Sequence, residues 1–267
     1  FSWRTLRLEH LKILAANVAI GLGFWILFRV FGNDELSQVA FFTAITPTAT
    51  AAAVIVHLLG GRVDFAVSAF LTTNFGMALL FPFLIPMVIG DPAPGVFFEV
   101  IKSLLTVIGI PLAAAIPLRL IYRAATELPK KLTNVSFFIW VATIFLVIAN
   151  ASKYLHSQAD LDATILVAIA IISLVICIFN FGVGRFLGEK KFRREASQVL
   201  GQKNTSLTIY LALAYANPLV ALGPTFYVLW HNGWNTYQLN RYDHRKHVRK
   251  RKPTAIIEVA QNPGVKR

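Results

Sequence analysis

The chain has 267 residues, of which 56% are apolar and only 15% charged, and it carries 21 Phe. Soluble domains carry roughly 25% charged residues, and several runs here reach the ~20 apolar residues a helix needs to cross a bilayer, so composition excludes a soluble globular domain and points to an all-α polytopic membrane protein. A formal net charge of +13 needs a location, and the single cysteine, Cys177, inside an apolar run, excludes a disulfide framework and a cysteine metal cluster.

Eight spans are predicted, at 11–31, 36–59, 64–89, 96–121, 134–151, 162–187, 195–215 and 218–236. The first is apolar apart from Lys12, Asn17 and Arg29. The second contains "TAITPTATAAAV", residues 43 to 54. Pro47 removes a backbone donor in mid-span, and Thr43, Thr46, Thr48 and Thr50 surround the break and can satisfy the freed groups. Taken alone, an ordinary proline kink explains this stretch equally well. The next four spans are apolar, with small residues such as Gly182 and Gly184 suited to helix contacts.

The seventh span contains the polar part of "LGQKNTSLTIYLALAYANPL", residues 200 to 219. Gln202, Lys203, Asn204, Thr205, Ser206 and Thr208 stand where a lipid-facing helix carries Leu and Val. Lys203 lies nine residues beyond Arg194, which is ~13 Å at 1.5 Å per residue. At that depth a lysine costs roughly 2.5–3.5 kcal/mol on insertion scales, so it must face protein or water. An intramembrane ionisable group is a functional candidate by default; a structural lysine paired with helix carbonyls is the plainer alternative. Polar breaks in corresponding spans of two halves are how many secondary carriers build a substrate site.

After the eighth span comes a basic tail, "RYDHRKHVRKRK", 241 to 252. If the tail is cytoplasmic and the spans alternate, 22 of the 26 Lys and Arg fall on the cytoplasmic side, as the positive-inside rule requires. Both ends are then cytoplasmic, and the tail reads as a topology anchor on anionic lipid headgroups rather than a nucleic-acid arm. The chain divides into first-half core spans (1–90), two panel spans (91–155), second-half core spans (156–240) and the tail (241–267). No metal-protease, serine-hydrolase or paired-carboxylate pattern occurs, so no catalytic or metal-binding residue is expected and the chain does not read as an enzyme. His57 and His231 fall at helix ends, where a solvated or capping role is expected.

Three stretches resemble the bile acid:sodium symporter family. "LGQKNTSLTIYLALAYANPLVALGPTFYVLWHN" is similar to a family helix with a Gly-Met-Gln-Asn-Ser-Gly-Leu core and the following span ending in Trp-His-Asn. "TPTATAAAVIVHLLGGRVDFAVS" resembles the family's Cys-Pro-Gly-Gly-Thr-Ala-Ser-Asn crossing helix, and "GIPLAAAIPLRL" its proline-bearing helix between the halves. The resemblance implies an inverted-repeat fold of ten helices with two crossing discontinuous helices, of which this chain supplies the last eight. It also implies a secondary carrier of a small organic anion, in a divergent, bacterial-type form resident in the inner membrane.

The family's sodium sites fall on changed residues. Its Ser-Asn pair lands on Ala52 and Ala53, its glutamate on or next to Val199 with Gln198 the nearest polar group, its glutamine on Lys203, and a third-helix amide on Asn17. Sodium is a hard cation that needs oxygen ligands, so the ammonium of Lys203 is expected to stand in a sodium ion's place, among the oxygens of Thr46, Thr48, Asn204 and Thr205. The candidate substrate- and ion-binding set is Asn17, Thr46, Pro47, Thr48, Thr50, Gln198, Gln202, Lys203, Asn204, Thr205 and Ser206. No cofactor is expected; the coupling ion is a proton or sodium. A sodium-coupled symporter using the remaining oxygens, and a non-transporting receptor or scaffold on the same fold, are the alternatives. Substrate and oligomeric state are not legible.

Overall fold

The computed structural model describes residues 7–90, 94–106, 110–121 and 164–261, with isolated helical positions between 135 and 157. The described residues form helices: α1 (Leu8–Val30), α2 (Asp34–Ala44), α3 (Ala51–Leu58), α4 (Val63–Ile89), α5 (Pro94–Leu104), α6 (Ile110–Ile121), α7 (Thr164–Leu187), α8 (Arg193–Gly201), α9 (Thr205–Tyr215) and α10 (Pro218–Gln261). The expected fifth span, 134–151, lies largely outside the described residues.

α1, α4 and α7 are long and apolar enough to cross a membrane. α4 shows how they sit. Phe75, Leu79 and Phe83, spaced by four, are 64–74% exposed, while Met77, Phe81 and Ile85 on the other side are buried. A helix that is apolar on both its buried and its exposed faces is solvated by lipid, not water.

The two segments expected to be interrupted are interrupted. α2 stops at Ala44 and α3 begins at Ala51; α8 stops at Gly201 and α9 begins at Thr205. The two short extended stretches meet as one antiparallel bridge, Thr48 opposite Lys203. Ala49 N donates to Gln202 O at 2.9 Å and Asn204 N to Pro47 O at 2.8 Å. A helix end leaves orphan backbone groups, and these are costly away from water. Each break here supplies partners for the other.

α1 packs on α2, α7 on α8, and α10 against α2, α7 and α9. Gly184 permits the α7–α8 contact: a Cβ there would lie 2.5 Å from Ala196 O. Gly182, expected to share this role, faces open space instead, because it lies two residues away and so on another face of the helix. α10 also differs from expectation. It does not end near 236 but runs through the basic segment to Gln261, since the residues from 234 to 252 contain neither Gly nor Pro to stop it.

Candidate functional site at the crossed breaks

Around the bridge, side chains from other helices cap the carbonyls that the breaks release. Asn17 on α1 donates through Nδ2 to Ile45 O at 2.7 Å. Asn74 on α4 donates to Thr48 O at 2.9 Å. The Thr48 hydroxyl donates to Val199 O at 2.8 Å, and the Tyr227 hydroxyl on α10 donates to Gly201 O, also at 2.8 Å. The Thr46 hydroxyl donates back to Phe42 O at 2.9 Å and meets the Thr208 hydroxyl at 2.9 Å, linking α2 to α9.

Lys203 sits at the centre, 2% exposed. Its backbone forms the bridge with Thr48, and its Nζ donates to Asn17 Oδ1. Asn17 therefore uses both ends of its amide, one on the ammonium and one on the C-terminus of α2. The Thr46 and Thr48 hydroxyls, expected to surround the ammonium, are instead spent on backbone carbonyls.

One side of the crossing opens into a pocket of 310 Å³, lined by Ala49, Ala51 and Ile55, by Gln202 to Ser206, and by His231, Asn232 and Asn235 of α10. The first turns of α3 and α9 both border it, and helix N-termini carry free N–H groups and a partial positive charge. Three buried lining atoms have no hydrogen-bond partner among the described residues: Gln202 Nε2, His231 Nδ1 and Asn235 Oδ1. Buried polar groups are nearly always satisfied, and these three belong to residues that line the pocket.

Of the residues expected to share a site, Asn17, Thr46, Pro47, Thr48, Gln202, Lys203, Asn204 and Thr205 meet at the crossing, and Ser206 lines the pocket from an exposed position. Thr50 is exposed at the start of α3. Gln198 turns to α10, donating through Nε2 to Gln238 Oε1 at 3.0 Å. Sequence reasoning missed Asn74, Asn180, Tyr227 and Asn235. Asn74 and Asn180 are amides inside apolar runs, and the logic that singled out Lys203 applies to them too. His231 is not the solvated end residue expected: it is 7% exposed and faces the pocket, because α10 continues well past it. His57 is exposed, as expected.

An all-helical membrane protein with a buried polar seam where two broken helices meet is the class this fold and site define. The chain belongs to the sodium bile acid symporter family, whose family model matches residues 17–158. Members of that family are membrane transporters. The match takes in Asn17 and the first break and ends before the second, so the reading of Lys203 rests on its own motif and geometry. No individual curated protein matches the chain.

Proposed function

We propose that this protein is a secondary active transporter that moves a small organic anion by alternating access, on an inverted-repeat fold of the family's kind. The pocket at the crossed breaks carries the reading. It borders two helix N-termini and a buried lysine, a setting for a carboxylate, and the Gln202, His231 and Asn235 atoms without partners among the described residues suit the substrate's other polar groups. A volume of 310 Å³ sits at the small end of ligand sites, about 300–1,000 Å³.

Sodium is not the coupling ion in this reading. Ala52 and Val199, where the family resemblance calls for oxygen ligands, are fully buried apolar residues, and Lys203 brings its own positive charge to the same place. The ammonium serves as a tethered cation, either fixed or exchanging a proton during the cycle. One observation favours the alternative of residual sodium coupling: Asn180 Oδ1 and Gln198 Oε1 are buried oxygens without partners among the described residues, and such oxygens suit a hard cation. In this reading the basic side of the chain is cytoplasmic, from the distribution of Lys and Arg, and the family resemblance supports residence in a bacterial inner membrane.

Uptake of a panel of small carboxylates by proteoliposomes tests the function. Saturable flux of at least one anion is expected, with His231→Leu and Asn235→Leu raising its KM. Saturable binding with no flux of any anion would make the protein a receptor instead.

A further inference from the structure

α9 starts at the pocket and ends against a different helix. Ser206, in its first turn, lines the pocket from an exposed position. Tyr210, one turn further on and so on the same side of the helix, is 39% exposed. At Tyr215, the last residue of α9, the side-chain hydroxyl meets the Ser103 hydroxyl of α5, 112 residues away in sequence. Val100 and Leu104, beside Ser103 on α5, are buried in one apolar cluster with Phe81 and Ile85 of α4 and Leu211 and Ala212 of α9. α5 thus covers the end of α9 farther from the break and takes no part in lining the pocket. The hydroxyl pair differs in kind from the packing around it. Both residues are only partly buried, and a hydrogen bond between two neutral hydroxyls adds little net stability, so it can be made and broken repeatedly.

We propose that the Ser103–Tyr215 hydrogen bond is the latch of an outer gate. It ties α5 to the far end of α9 while the pocket stands open beside α10, and it parts when the pocket opens to the other side. The inference rests on the alternating-access reading, which needs one route from the pocket closed while the other is open. The arrangement fits that need. The pocket is bordered by α3 and by α10, the helix that runs on into the basic segment, whereas the apolar cluster and the hydroxyl pair close the opposite end of α9. Tyr210, on the exposed face between Ser206 and the latch, belongs to the wall along which the anion passes.

The test needs no substrate. In a Cys177→Ser background, Ser206→Cys serves as a reporter in the pocket, and its reaction with an impermeant thiol reagent is timed from outside intact cells and again after permeabilisation. Labelling should be slow from outside and at least tenfold faster after permeabilisation. Adding Tyr215→Phe or Ser103→Ala, each of which removes one hydroxyl and keeps the packing, should raise outside labelling severalfold, with little change of melting temperature in detergent. Ser103→Thr, which keeps the hydroxyl, should leave the rate unaltered. Outside labelling unchanged in both Tyr215→Phe and Ser103→Ala, fast outside labelling with the latch intact, or a rise that comes only with a large fall in melting temperature would each overturn the latch. Proteoliposome flux separates the two ideas: transport with unchanged labelling removes the latch alone, whereas no transport of any anion removes the alternating-access reading beneath it.

Discussion

Lys203 and Asn17 lie 186 residues apart in sequence and meet inside the seam, each 2% exposed. A hydrogen bond to a charged group contributes about 1.5–3 kcal/mol, and removing one partner leaves the other's desolvation uncompensated. Asn17→Leu removes the acceptor for the ammonium and the donor for Ile45 O together. It should destabilise the protein by about 3 kcal/mol, read as a lower melting temperature in detergent. Asn17→Leu with Lys203→Met should recover part of that loss, because the buried charge has gone; two losses that simply add would show the pair is not coupled. The lysine was legible in the sequence because a charge inside an apolar run is conspicuous. Its partner was suggested only by family resemblance, and the threonine hydroxyls expected around it turned out to serve backbone carbonyls, a choice set by geometry that composition does not carry.

Among the elements, the two breaks are the feature on which the rest depends. Pro47 and the polar run from Gln202 to Ser206 announced them, since a missing donor and a set of competing side-chain groups both interrupt a helical ladder. The capping of the freed carbonyls was not announced, because Asn17, Asn74 and Tyr227 reach the breaks from three other helices. Tyr227→Phe keeps the ring but leaves Gly201 O and an Asn180 amide proton without the hydroxyl that pairs them. A loss of about 1–3 kcal/mol is expected, again measured by melting in detergent. Thr48→Val, nearly the same in shape, should cost a similar amount by orphaning Val199 O. If neither change lowered the melting temperature, water rather than protein would be satisfying the breaks.

For the molecule as a whole, the charge distribution makes a prediction about sidedness. Asn33 lies in the turn between α1 and α2, and Lys190 in the connection between α7 and α8; the Lys and Arg asymmetry predicts that they stand on opposite sides of the membrane. In a Cys177→Ser background, Asn33→Cys should react with an impermeant thiol reagent added outside intact cells, and Lys190→Cys should react only after permeabilisation. Reaction of both from outside would refute the orientation. The all-helical class and the places of the broken spans were legible because apolar length and polar interruption are local signals. The course of α10 through the basic segment was not, since charge there masked a stretch free of helix breakers, and neither was the pocket, which gathers α3, the second break and α10 from distant parts of the chain.

Alternating access without sodium is the central claim, and the most direct measurement is anion uptake into proteoliposomes, with sodium against an equal concentration of choline, for the native chain and for Lys203→Gln. In the proposed reading, buried Ala52, Val199 and the Lys203 ammonium stand where the family resemblance puts sodium's oxygen ligands. Native flux should therefore be the same in both salts, and Lys203→Gln, lacking the tethered charge, should fall at least tenfold. Flux stimulated by sodium in the native protein would contradict the account, and so would full activity in Lys203→Gln.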